Sequence, residues 1–183
     1  MSDTNEYELY ESRGFQDYSL GHQKMYTLPI QFLQDKDQRW NVIDVGVGIG
    51  FGVRKMLDAG ILGRYVGVEP HPLSYGYLAQ QEWPSQVKIH PCGWLDLPED
   101  QLMLADYMFC IEVIEHVPDD QVPAFLARMR AHVRRNLFLS TPDAAKTDHG
   151  TATVPQWRAR LKTAGFTEVA VIDSQWTVLY VCE

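Results

Sequence analysis

The sequence predicts an α/β protein: a single doubly wound, mostly parallel seven-stranded sheet with helices on both faces and a C-terminal antiparallel hairpin. Three observations predict it. From residue 40 onward, short apolar runs alternate with helix-patterned stretches, as in a parallel sheet whose crossovers are helices. Asp106–Glu112 (DYMFCIE) is a near-continuous apolar run, as expected of a central strand buried on both faces. The runs Thr167–Ile172 and Thr177–Cys182 are separated by a polar turn too short for a helix, which makes them an antiparallel hairpin.

The elements follow in order. Residues 1 to about 16 are polar and acidic. Leu20–Gln34 carries Leu20, Met25, Leu28 and Phe32 at positions that permit a helix, with Pro29 expected to kink or interrupt it. Trp40–Val45 is a strand closed by glycines, and Gly50–Ala59 a helix with Gly60 as its stop. Tyr65–Glu69 is a strand, Leu73–Gln81 a helix and Gln86–His90 a third strand. The central strand leads to a helix at Asp119–His132, a strand at Asn136–Ser140 and a helix at Pro155–Ala164 ended by Gly165. One domain over residues 1–183 is expected, with 1–39 as a lid-like N-terminal extension.

Composition narrows the function. The chain has 183 residues, 45% of them hydrophobic, which suffices for one core and leaves no room for a separate substrate domain. Loops, the N-terminal segment or a second copy must then grip a substrate. A net charge of -8 opposes non-specific binding to nucleic acid, which depends on Lys and Arg. The group Arg128, Arg130, Arg134 and Arg135 reads as a solvated face. Cys92, Cys110 and Cys182 form no metal or disulfide pattern and suit a reducing, cytoplasmic setting. Neither a signal peptide nor a membrane span is expected. A homodimer is the default closed assembly, and no interface is specified.

The most informative stretch is Asp44-Val45-Gly46-Val47-Gly48-Ile49-Gly50-Phe51-Gly52. Alternate glycines after a strand let the backbone turn tightly and approach a ligand closely. A dinucleotide fingerprint, GxGxxG, fails from both starts, because Phe51 and Val53 stand where the third glycine is required. A Walker A loop fails for want of GK[ST]. Glu69, at the end of the second strand, is placed to accept both hydroxyls of a ribose.

An acidic residue directly before GxGxG resembles the first signature of the class I, Rossmann-like S-adenosylmethionine-dependent methyltransferases. The resemblance runs from about residue 40 to the end. It implies that Asp44 lies near the ammonium of S-adenosylmethionine and that Gly46, Gly48 and Gly50 line its methionine part. It makes Glu69 the ribose acid and sets Pro70 beside the adenine. After the third strand, Trp94 is a candidate cover for the adenine, with backbone at Trp94 or Leu95 reading its edge. Ordinary core packing of Trp94 is an equal alternative.

Glu112-Val113-Ile114-Glu115-His116 closes the central strand, where ligands of parallel sheets bind. This pentapeptide resembles ubiquinone-biosynthesis O-methyltransferases and the enzymes that methylate the 2′-hydroxyl at the 3′ end of small RNAs. The second resemblance implies a divalent metal, such as Mg or Mn, held by Glu112, Glu115, His116 and the later His149. The aromatic and basic residues that follow that His in the RNA enzymes are replaced by Gly150-Thr151-Ala152-Thr153. His116, Glu112 and His149 are the candidate catalytic residues, as a base with or without metal. Phe15, Tyr18, His22 and Tyr26 form an aromatic stretch that either folds over the cofactor or packs against the sheet edge. The expected function is O-methylation of a small-molecule acceptor. The alternatives are RNA-terminal methylation and a non-catalytic cofactor-binding subunit.

Overall fold

The computed structural model describes residues 20–34, 38–148, 150–173 and 177–183. The chain forms α1 (Leu20–Gln34), β1 (Trp40–Val45), α2 (Phe51–Asp58), β2 (Leu62–Val68), α3 (Pro72–Ala79) and β3 (Val87–His90). It continues through β4 (Ala105–Ile111), α4 (Val122–His132), β5 (Val133–Pro142), α5 (Val154–Thr163), β6 (Glu168–Asp173) and β7 (Thr177–Cys182). One seven-stranded sheet results, in the order β3-β2-β1-β4-β5-β7-β6. The first five strands pair in parallel, whereas β7 pairs antiparallel with both β5 and β6. This is the seven-stranded, hairpin-closed architecture expected from the sequence.

Alternation along β1 shows how the sheet divides its core. Trp40 and Val42 face a cluster with Met25, Tyr26, Ile30 and Leu33 of α1 and Val53 and Met56 of α2. Ile43 and Val45 face the opposite cluster, with Phe125, Leu126 and Met129 of α4 and Trp157 and Leu161 of α5. Helix α5 starts on a capping box, in which the Gln156 side chain accepts the Thr153 backbone N–H at 2.8 Å.

Several boundaries differ from expectation for identifiable reasons. Helix α1 runs through Pro29 without a break, because its apolar stripe is anchored on both sides of that residue by Met25, Tyr26, Ile30 and Leu33. Strand β2 begins at Leu62, where it pairs with Trp40 across an irregularity in the register. Strand β5 begins at Val133, directly after α4, so Arg134 and Arg135 belong to a strand although they carry no apolar signal. Arg134 is exposed, whereas the other three arginines of this group have partners. Arg128 donates to the carbonyls of Trp94 and Leu97, Arg130 to those of Gly165 and Val133, and Arg135 lies over the Trp40 ring.

The described part of the lid-like extension is α1, and it is bound into the core. His22 lies in α1, but its side chain, together with Phe15 and Tyr18, is outside the described residues. Among the described residues, no helix is long and apolar enough to cross a membrane.

Candidate active site

The glycine stretch forms the bend that joins β1 to α2. Gly46, Gly48 and Gly50 have φ of 81°, 59° and 85°, which side chains disfavour. The N–H groups of Gly46 and Val47 both donate to the Val68 carbonyl, at 2.9 and 3.1 Å, which ties the bend to the end of β2. Gly46 is also required for space. A Cβ there would stand 2.2 Å from Cγ2 of Val113, so the segment after β4 packs directly onto the bend.

Glu69 follows the last residue of β2. Its Oε2 accepts the Gly48 N–H at 2.7 Å and its Oε1 accepts the His71 N–H at 2.9 Å. One carboxylate thus clamps the glycine bend to the start of α3. Two oxygens offer about four acceptor positions, so hydroxyl donors still find a partner on it. Burial pushes its pKa up to about 7, against the lowering effect of the two N–H contacts.

Asp44 is the fullest departure from expectation at this end. It is 0% exposed, and both of its oxygens accept tyrosine hydroxyls, Tyr26 at 3.0 Å and Tyr65 at 2.7 Å. Direct contact with a ligand ammonium is closed to it in this arrangement. Burial raises its pKa to about 7, the hydroxyls of Tyr65 and Tyr26 oppose the rise, and the charge of Glu69 adds to it.

A stability test follows from the sign of that shift. A raised carboxyl pKa means that the folded state holds a proton which the unfolded chain has released. The resulting stabilisation is complete below about pH 4 and lost as pH rises through about 7. Asp44→Asn keeps the shape, and a tyrosine hydroxyl can turn to accept from the amide. The urea midpoint of this variant should exceed that of wild type at pH 8 and match it or fall below it at pH 4.5. A constant difference across that range would contradict the titration.

The segment after β4 carries the residues expected to do chemistry. Glu112 has a φ of 54°, a left-handed conformation seldom held by a residue other than glycine. Its backbone N–H donates to Oγ of Ser140 at 3.1 Å, and that hydroxyl donates to Oε1 of Glu112 at 2.7 Å. Thr177 Oγ1 lies 3.3 Å from Oε2. Ser140 at the end of β5 and Thr177 at the start of β7 thus fix this carboxylate, and neither was anticipated. Their sequence signal is weak, since hydroxyls near strand ends are common.

The expected metal set is not assembled. Among the described residues, no three of His, Cys, Asp and Glu are grouped to hold an ion. Glu112 is turned toward Ser140 and Thr177, and His116 is exposed on the short turn Ile114–His116. Glu115 is half-buried on the same turn, and His149 lies outside the described residues.

For Trp94 and Tyr26, each of which carried two readings, the structure matches the packing one. A ring that stacks on a ligand shows a face to solvent when the ligand is absent, yet Trp94 is 2% exposed. Its indole N–H donates to the Phe125 carbonyl and Arg128 covers its ring, so it is a core residue. Leu95 is half-buried and Pro70 exposed, which leaves both accessible from outside. Tyr26 is buried, with its ring stacked on Phe109 at 5.7 Å between centroids.

Comparison with known proteins agrees with this architecture. No curated protein matches the chain in sequence. Among solved structures, the 1,6-didemethyltoxoflavin-N1-methyltransferase of Burkholderia thailandensis, with bound 1,6-didemethyltoxoflavin and S-adenosylhomocysteine, is 18% identical. The match covers 97% of this chain and 85% of that one, with a TM-score of 0.74. The magnesium protoporphyrin IX methyltransferase of Synechocystis, with bound S-adenosylmethionine, is 17% identical over 91% of this chain and 81% of that one, at a TM-score of 0.71. An N-methyltransferase of Bradyrhizobium japonicum, in complex with S-adenosylhomocysteine, is 16% identical over 92% and 90%, at 0.73. Residues 15–171 match the methyltransferase domain family. The chain therefore belongs to that family and is a class I methyltransferase of the seven-stranded type.

Proposed function

We propose that this protein transfers a methyl group from S-adenosylmethionine to an oxygen atom of a small-molecule acceptor. One observation carries the donor assignment. Glu69 stands buried at the end of β2, with both oxygens accepting N–H groups, while clamping a bend whose three glycines are all left-handed. Those residues fit the donor. The glycine bend suits close approach by its amino-acid part, and Glu69 has lone pairs left for the ribose hydroxyls. Pro70 and Leu95 remain as candidates for the adenine.

The donor supplies an electrophilic methyl on a positively charged sulfur. The acceptor oxygen bonds to that methyl, the sulfur keeps the electron pair of the broken bond as a thioether, and the acceptor's proton leaves to a base. His116, exposed after β4, and Glu112, held by Ser140 and Thr177, are the groups nearest this role. The oxygen preference rests on the Glu112–His116 pentapeptide. Two of the solved neighbours are named for small molecules, 1,6-didemethyltoxoflavin and magnesium protoporphyrin IX, which supports an acceptor of that size. A nucleic-acid acceptor is disfavoured by a net charge of -8 and by arginines engaged with backbone carbonyls.

Calorimetry with S-adenosylhomocysteine tests the donor, and transfer of a tritiated methyl into fractionated metabolite and RNA pools tests the acceptor. The expected result is binding, with label recovered in an ether-linked small molecule. Label confined to RNA would overturn the acceptor assignment, and absence of binding would overturn the donor assignment. His116→Ala should lower turnover by roughly 100-fold if His116 is the base, with little change in cofactor affinity.

A further inference from the structure

The buried contacts around Asp44 give α1 a role in the site that its position in the core does not require. Tyr26 reaches Asp44 from α1 and Tyr65 reaches it from β2, one hydroxyl on each oxygen. A phenylalanine at either position would pack equally well, since Tyr26 already stacks on Phe109 and Tyr65 is 1% exposed among apolar neighbours. The hydroxyls therefore serve the carboxylate rather than the packing.

Gly52 makes room for one of them. A Cβ on Gly52 would lie 2.4 Å from Cε1 and 2.7 Å from Cδ1 of Tyr26. This glycine lies beyond the three left-handed positions of the bend, in the first turn of α2, and it has an ordinary helical backbone. Its absent side chain admits the Tyr26 ring. Helix α1 is thus fitted to both sides of the bend, with the ring against Gly52 of α2 and the hydroxyl on Asp44 of β1.

We propose that Tyr26 and Tyr65 are positioning residues whose hydroxyls favour the ionised form of the Asp44 carboxylate beneath the glycine bend, so that docking of α1 sets the affinity of the site for the cationic amino-acid end of the cofactor. This rests on the donor assignment made above. The titratable groups that act on Asp44 are Tyr26 from α1 and Tyr65 and Glu69 from β2 and its end, with Cys110 of β4 in the core cluster on the other face of the sheet. Glu69 opposes ionisation of Asp44 by its charge, whereas the two hydroxyls favour it. Loss of one hydroxyl tips the balance toward the neutral acid, which offers an ammonium no attraction from below.

The test is calorimetric binding of S-adenosylhomocysteine to the full chain, wild type against Tyr26→Phe and Tyr65→Phe, from pH 6.5 to 9. Each variant should bind about tenfold more weakly than wild type at pH 7, as expected for the loss of one hydrogen bond to a charged group. The ratio should return toward one by pH 9, where Asp44 is ionised in all three proteins. Circular dichroism melts should show both variants folded. Equal affinity at every pH would overturn the proposal, and so would a loss that stays constant with pH, which would mark a merely structural contact. Failure of both variants to fold would also overturn it. Wild type that binds no S-adenosylhomocysteine at any pH would instead remove the donor assignment, so the two failures are distinct.

Discussion

Glu69→Ala is expected to lower affinity for S-adenosylhomocysteine by more than about 100-fold, the largest effect on binding of any single change in this protein. Two ribose hydroxyls lose a charged acceptor, each worth roughly 1.5–3 kcal/mol. The N–H groups of Gly48 and His71 lose their partner as well, so the bend itself loosens. Glu69→Gln should fail nearly as badly for a reason specific to this geometry. Both contacts present an N–H, and an amide offers only one oxygen, so its NH2 must face one of the two donors. Isothermal calorimetry at pH 8 reads both variants. Affinity within about threefold of wild type for Glu69→Gln would show that the carboxylate is not the ribose acceptor.

Gly46→Ala should produce the largest loss of stability. The position combines a φ of 81° with an overlap at 2.2 Å against Val113, so handedness and space both oppose a side chain. Together these cost about 2–5 kcal/mol, or a fall in Tm of roughly 5–15 °C for a chain of this size. Gly60→Ala is the matched control. Its φ of 69° is also left-handed, but nothing lies within 4 Å of an added Cβ, so only about 1–2 kcal/mol is expected. Adding Val113→Ala to Gly46→Ala should relieve the overlap and recover part of the loss, while leaving the backbone penalty in place. Thermal melts of the four proteins decide this. Equal losses for Gly46→Ala and Gly60→Ala would deny the contact between the bend and the segment after β4.

These effects explain which parts of the molecule were readable in advance. Strands β1 and β7 begin and end where the apolar runs do, because buried strands must be apolar at nearly every position. The start of β5 was hidden because the exposed Arg134 and Arg135 fall where the register between β4 and β5 is irregular. The glycine bend and Glu69 were legible because only glycine tolerates those backbone angles and because the acid falls at a strand end. The tyrosines were not. Tyr65 read as an ordinary strand residue, and nothing in its neighbourhood of sequence reports that it faces Asp44, 21 positions away. Glu112, Glu115 and His116 are likewise close in sequence, yet among the described residues no three such groups gather to hold an ion. Spacing shows which residues are near one another along the chain, but not which way a left-handed residue such as Glu112 aims its side chain.

The strand order carries one more consequence, for how the chain comes together. β7 occupies the slot between β5 and β6, although β6 precedes it in the chain. The penultimate strand therefore has no neighbour until the later one has arrived, and the two dock onto β5 as a preformed hairpin or not at all. Residues 167 and 183 exchange reciprocal backbone hydrogen bonds, at 2.8 and 2.9 Å, and these close the hairpin. Refolding should accordingly show this edge gaining amide protection together, and after the parallel strands that it completes.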